Sequence, residues 1–300
     1  MSDEYYSTDY RNERIIHALN LSILEIRAII AFHQEEITMK NLIYTLLIAI
    51  FVALPSESFA QKELEGLVLY YSFDEVTGDK VKDLSPSKKD GTLIKSPKLA
   101  SGKFGKALEF GGPASGQYVD VGYHKELEAD NAVTVMTWIF PDWIAPAPGC
   151  CMQVYGFGVH GGCGGRVQHG VFTEDGLKAR FETEGGVRID ILAPLPESKK
   201  WVHVAATFED GKGKMYLDGK LISEGSGNKV LVKSNEPLFI AADCERLNYI
   251  FNGIIDEFRM FKRALSEKEI NFHMGKGRDV LAVDAAGKLT ITWSQIKSAK

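Results

Sequence analysis

The chain has little proline, ten residues against 29 glycines in 300, and no apolar run approaching the roughly 20 residues that a membrane-spanning helix needs. It also lacks a basic excess. Lysine and arginine number 35 against 40 aspartates and glutamates, a formal net charge of −5. Residues 1–38 hold seven acids and three bases and residues 39–60 one of each, which leaves 32 acids and 31 bases for the remainder. A chain so balanced offers no patch for phosphate neutralisation, which excludes nucleic acid as the expected partner. Common catalytic signatures are missing too: no G-x-S-x-G elbow, no H-E-x-x-H helix and no P-loop lysine. The glycine cluster Gly161–Gly165 is followed by strand-like RVQHGVF rather than a helix, so it reads as a loop.

What is present is an ordinary core composition: 45% hydrophobic, 10% aromatic and 25% charged residues, which rules out a disordered tail or a collagen. Met39 and Lys40 open a short basic start, followed by an apolar run from Leu42 to Leu54, a helix-ending Pro55 and the small-x-small triplet Ser58, Phe59, Ala60. This is the anatomy of a secretory signal cleaved after Ala60, with a buried helix or a signal anchor as the alternative. The expected organisation is a leader or gene-model extension over 1–38, a signal segment over 39–60, the folded domain over 61–275 and a β-hairpin tail over 276–300. The expected location is secreted or cell-envelope, with membrane contact only if the signal stays uncleaved. Four cysteines, Cys150, Cys151, Cys163 and Cys244, all follow that segment. In an exported chain an even number favours disulfides, and four allow three connectivities. A direct Cys150–Cys151 bridge is strained, so Cys163 is expected to pair with one of the neighbours and Cys244 with the other. The spacing of these cysteines with His160 and His169 does not match a zinc pattern, and an oxidised Cys163 is no nucleophile.

From Gly66 onward the chain reads as many short strands separated by Gly, Asp, Ser and Lys turns: LVLYYSF, GTLI, KALEFGG, QYVDVG, AVTVMTWIF, MQVYGFGV, RVQHGVF, LKARFE, VRIDIL, WVHVAATF, KMYLDG, PLFIAA and IFNGIIDEFRMF. In WVHVAATF, Val202, Val204, Ala206 and Phe208 alternate with Trp201, His203, Ala205 and Thr207, so one set can line a core between sheets. Trp138 and Trp201 read as core aromatics. Ser266 and Glu269 form a capping-box pattern opening one short helix, with Ile270 and Met274 on a common face. The fold class is therefore all-β, a two-sheet antiparallel sandwich with one short C-terminal helix, preceded by the signal segment.

The order LVLYYSFDE, DLSPSKKDGTL, GKFGKALEFGG, QYVDVG, VTVMTWIFP, WVHVAATFEDGKGKMYLDGKLI and FNGIIDEFRMFKRALSEKEI resembles the laminin-G-like jellyroll domains of the concanavalin-A-like lectin and glucanase superfamily, from about Gly66 to about Gly275. The resemblance implies two curved antiparallel sheets, a ligand face with rim loops, commonly a structural calcium ion, and the role of a binding or adhesion module. A β-glucan hydrolase of this superfamily is expected to carry two glutamates flanking an aspartate on one strand, because retaining hydrolysis needs carboxyls about 5–5.5 Å apart. That pattern is missing. Glu182 and Glu184 alternate but have no aspartate between them, and Asp256 and Glu257 point to opposite faces of a strand.

For calcium, the implied fold brings Asp74 and Asp256 together to share one Ca2+ with carbonyls near Asp90 and Gly91, and Asp83 as a weaker third carboxylate. The alternative is that Asp74 and Asp83 only cap turns. The ligand rim is expected in the long insertion between Pro141 and Gly170, with Trp143, Tyr155, His160, Arg166 and His169, facing Arg246 and Tyr249 of the loop from Asp243 to Asn252. The expected function is an exported, non-catalytic module that binds a glycan or cell-surface polymer. A structural or adhesive envelope protein with a protein partner is the rival, and a diverged glycoside hydrolase the third reading.

Overall fold

The computed structural model describes residues 27, 34, 37–44, 63–143, 152–158, 167–234, 236–242 and 249–281. Contacts divide the chain into two units, Met1–Phe59 and Ala60–Lys300. In the first unit residues 37–44 are helical. Among the described residues no helix is long and apolar enough to cross a membrane. Most of the signal segment lies outside the described residues.

The second unit contains two antiparallel sheets. The eight-stranded sheet runs in the order β15 (Lys220–Ser226), β14 (Lys212–Leu217), β13 (Val202–Glu209), β8 (Ala132–Pro141), β17 (Asn252–Phe261), β6 (Lys106–Gly111) and β5 (Lys98–Ser101). An eighth strand, β1 (Leu67–Tyr71), pairs with the C-terminal half of β17, while β6 takes the N-terminal half. The nine-stranded sheet runs β12 (Val187–Ala193), β11 (Leu177–Thr183), β10 (Val167–Thr173), β9 (Gln153–Gly158), β16 (Leu238–Ile240), β7 (Tyr118–Gly122), β4 (Gly91–Ile94), β3 (Lys80–Val81) and β2 (Val76–Thr77). This is the expected all-β sandwich. The expected strand segments are found, and β2, β3, β5 and β15 are additional strands outside those segments.

Period-2 alternation puts one set of side chains from each sheet into the shared core. Val202, Val204, Ala206 and Phe208 of β13 lie there with Ile189 and Ile191 of β12 and Phe181 of β11. The opposite set of β13 faces outward: Ala205 joins a second cluster with Tyr70, Met136, Tyr216, Phe261, Leu265 and Ile270. That cluster is roofed by an α-helix, α1 (Glu267–Met274). Its Ser266 side chain accepts the Glu269 N–H while the Glu269 carboxylate accepts the Ser266 N–H, the reciprocal cap expected from the sequence. His273 rather than Met274 is buried beside Ile270 on the underside.

Two hairpins turn tightly because their central residues tolerate positive φ. Asp210–Gly211 joins β13 to β14 and Asp218–Gly219 joins β14 to β15, with φ values of 45°, 87°, 47° and 74°. Trp138 is buried, but on the outward face, where its indole N–H donates to the Met274 carbonyl at 3.2 Å and Lys103 Nζ sits 4.2 Å above the ring. Trp201 is half-buried against Phe140. The β-hairpin expected from Val280 starts differently: residues 279–281 are helical, with Val280 N–H donating to the Gly277 carbonyl and its side chain buried in the outer cluster. Residues 282–300 lie outside the described residues.

Candidate functional site

A bulge interrupts β17. Its register with β8 passes from Asp256↔Trp138 to Arg259↔Met136, so two residues of β17 oppose the single Thr137, and Glu257 is held at φ 56°. Thr137 Oγ1 donates to the Asp256 carbonyl at 2.7 Å and pins the distortion. The bulge sends the two acids to different partners. Glu257 turns to the outward face, where it accepts the Tyr70 hydroxyl at 2.7 Å and lies 2.5 Å from Arg259 Nη2. Asp256 turns to the β5–β6 turn, and its Oδ2 accepts the Phe104 N–H at 2.9 Å.

Asp74, just beyond β1, reaches the same turn: its Oδ1 accepts the Lys106 N–H at 2.8 Å. Two glycines make room for these carboxylates. A Cβ at Gly102 would stand 2.5 Å from Asp256 Oδ2 and 2.8 Å from the Phe104 carbonyl oxygen, and one at Gly105 would overlap Asp74 Oδ1. Asp256 is wholly buried and its Oδ1 receives no hydrogen bond. Burial pushes its pKa up to about 8; the Phe104 N–H opposes the shift, and the charges of Glu257 and Asp74 add to it. Asp74 and Asp256 thus both accept main-chain N–H groups of the β5–β6 turn, whereas Asp90 and Gly91, whose carbonyls were expected beside them, belong to the corner around Asp83.

Asp83 does not join them. It is fully buried, with Oδ1 accepting the N–H groups of Tyr70 and Ser85 and Oδ2 accepting Ser85 Oγ–H and Lys89 N–H, all at 2.8–2.9 Å. Four donors saturate it as the organiser of its loop, which is the turn-capping alternative. Asp90 belongs to that same corner, accepting the Asp83 N–H at 2.9 Å, and Gly91 packs against Val119 and Tyr71. Among the described residues no group of three or more His, Cys, Asp or Glu converges as metal ligands.

The expected rim fares unevenly. Tyr155 on β9 and His169 on β10 are core residues, 2% and 0% exposed, their rings tilted against each other with centroids 5.7 Å apart, with Phe157 and Phe258 alongside. No sugar reaches them there, which corrects their assignment as ligand residues. The physical reason is that β9 and β10 lie in the middle of the nine-stranded sheet, where both faces are covered. Burial pushes the His169 pKa down to about 3. Trp143 is half-buried: its indole N–H donates to the Pro196 carbonyl at 2.7 Å and its ring packs edge-on against Phe251 at 5.9 Å. Tyr249 is half-buried, and its carbonyl accepts the Gln153 N–H at 2.8 Å. His160, Arg166, Arg246 and the four cysteines Cys150, Cys151, Cys163 and Cys244 lie outside the described residues.

The two carboxylate pairs weighed for hydrolysis are also placed. Glu182 is buried on β11 with Arg188 Nε 3.7 Å away, whereas Glu184 sits exposed in the turn before β12. A feature the sequence did not reveal is the ion network on the face of the nine-stranded sheet turned away from the core. There Arg180 makes two parallel bonds to Asp190, at 2.6 and 2.7 Å, and lies 4.9 Å over the Phe172 ring. Cross-strand register, Gly170↔Arg180↔Asp190, is the signal that would have found it.

Comparison with known proteins agrees with this architecture. A family model for the concanavalin A-like lectin/glucanases superfamily matches residues 112–271, just over half of the chain. Among solved structures, the binding domain of Paraclostridial Mosquitocidal Protein 1 is similar at TM-score 0.53 and 18% identity, over 70% of this chain and 52% of that one. Domain 4 of AbnA, an extracellular arabinanase from Geobacillus stearothermophilus solved with arabinotriose, is similar at TM-score 0.52 and 19% identity, over 69% of this chain and 97% of that one. The binding domain of Botulinum Neurotoxin DC, in complex with SialylT, is similar at TM-score 0.53 and 15% identity, covering 70% and 51%. The chain thus spans about half the length of the two toxin domains and nearly all of the arabinanase domain. At these identities the likeness is one of fold. No curated protein matches the chain.

Proposed function

Because the chain belongs to the concanavalin A-like lectin/glucanases superfamily, we propose that it is an exported, non-catalytic binding module for a glycan or cell-surface polymer. The observation that carries this reading is the near-complete coverage of the arabinanase domain, which was solved in complex with arabinotriose. The carboxylates argue in the same direction. Asp256 and Glu257 are turned apart by the bulge, and Glu182 and Glu184 differ in burial and partners, so neither pair faces a common space in which one acid could protonate a leaving group while the other attacks.

Calcium belongs to the same proposal as a structural ion. The donors around Asp256 suit a hard cation: the unpartnered buried Oδ1, the neighbouring Asp74 carboxylate and the Phe104 carbonyl are all oxygen. Asp74 and Asp256 would hold the ion, with main-chain carbonyls of the β5–β6 turn and water completing the shell. Such an ion neutralises two carboxylates and ties the end of β1 to β17. It supplies no reaction chemistry.

The test is a glycan array probed with the full protein, with and without added calcium. Saturable binding to one saccharide class supports the reading. A blank array together with capture of a single defined protein would move the chain to the adhesive class, and sugar release from a polysaccharide would make it a hydrolase.

A further inference from the structure

The outward face of the eight-stranded sheet holds a cleft of about 460 Å3 between β13–β15 and the start of α1. Its floor follows from strand register. Thr207 pairs with Lys214 and Glu209 with Lys212, and period 2 puts Lys212, Lys214 and Tyr216 on the same side. Glu267, the first residue of α1, stands on the opposite wall. The helix is held there by its cap and by the packing of Leu265 and Ile270.

From this geometry we propose that the cleft is a binding site for a neutral oligosaccharide, an inference that rests on the reading of the chain as a glycan-binding module. Three properties of the cleft favour that ligand class. Its volume falls within the ~300–1,000 Å3 of small-molecule sites. Among the described residues, Lys212, Lys214, Glu209 and Glu267 make no side-chain ion pair or hydrogen bond, although oppositely charged members are cross-strand neighbours. Donors and acceptors of both signs therefore stand ready for a ligand. Two lysines balance these two glutamates, and the remaining wall acid, Glu269, is already held by Arg263 and the helix cap. A phosphate, a sulfate or a polycation meets as much repulsion as attraction there. A sugar hydroxyl donates to a carboxylate and accepts from an ammonium at once, and its C–H faces can rest on Leu221, 42% exposed, and on the lysine stems.

The experiment is isothermal titration calorimetry of the intact protein with arabinotriose, xylotriose, maltotriose and cellotriose, repeated with Glu209→Gln/Lys214→Met and with Glu267→Gln. All three positions are exposed or half-exposed, and an unchanged melting curve verifies that the variants are folded. The proposal expects at least one trisaccharide to bind, with affinity at least tenfold weaker in the double variant and at least threefold weaker in Glu267→Gln. Unchanged affinity in both variants overturns the cleft and leaves glycan binding standing. No binding of any of the four overturns the cleft outright, while an array hit on a charged glycan would still uphold the wider reading.

Discussion

Arg259 and Glu257, two residues apart on β17, are both 2% exposed and lie with Nη2 and Oε2 2.5 Å apart. Arg259 does more than pair with that carboxylate. It donates to the carbonyls of His273, Lys276 and Gly277, to the Tyr70 hydroxyl, and covers the Tyr70 ring at 4.4 Å. One guanidinium thus clasps the chain beyond α1 onto the outward face. Removing it strands a buried carboxylate and three carbonyls.

Arg259→Met is therefore expected to lower stability by about 3–5 kcal/mol, the usual effect of breaking a buried pair by removing one partner. Urea unfolding of the variant and wild type measures it. Arg259→Lys should recover little, because an ammonium cannot serve so many planar acceptors.

The calcium proposal makes a linked prediction about Asp74, Asp256 and Asp83. An ion that binds only the folded state stabilises it by RT ln(1 + [L]/Kd), roughly 2.7 kcal/mol at a hundredfold excess over Kd. Chelation should lower the melting temperature, and Asp256→Ala or Asp74→Ala should abolish the response. Asp83→Ala should instead destabilise the protein with the calcium response intact, since its four donors belong to the loop. A wild-type melt indifferent to both chelator and calcium contradicts the ion.

Much of this architecture is legible in the sequence. The alternation in β13 and the Ser266/Glu269 cap are local signals with local causes, and each appears where expected. Tyr155 and His169 are core residues that the sequence does not mark as such, because a polar ring in a glycine-rich stretch looks like a ligand platform. Strands covered on both faces carry no polar alternation to reveal that they are central. Asp83 was ambiguous for another reason: an aspartate beside turn residues serves a metal or a loop equally well in sequence, and only its donors decide. The β17 bulge, which sets the directions of Asp256 and Glu257, depends on pairing with β8, over a hundred residues away in the chain.

Acid sensitivity follows from three buried histidines. His169, His203 and His273 are each pushed down to about 3, chiefly by burial, with Arg259 adding to the shift of the last two. Their folded pKa values lie below the ordinary 6.5, so the unfolded chain binds protons that the folded chain does not. Stability from this source is complete above about pH 6.5 and falls as pH drops toward 3. Each histidine contributes a slope of about 1.4 kcal/mol per pH unit within that window. His169→Phe should remove one such slope, and urea midpoints measured from pH 7 to pH 4 will show whether the variant's decline is shallower than the wild type's.

Trp143 is expected to act as an anchor. Loss of its indole bond to Pro196 and of its packing on Phe251 should cost about 2–3 kcal/mol of stability in Trp143→Ala. Differential scanning calorimetry reads that directly. A variant as stable as the wild type would return Trp143 to the role of a free ligand platform.

The central claim, that this sandwich holds a saccharide without cutting it, is met most directly by affinity electrophoresis of the protein through native gels containing soluble neutral polysaccharides, with reducing ends assayed in the same mixtures. The account predicts retardation in at least one polysaccharide, relieved by its oligosaccharide, with no release of reducing ends. Free migration through every gel, or the appearance of reducing ends, would contradict it.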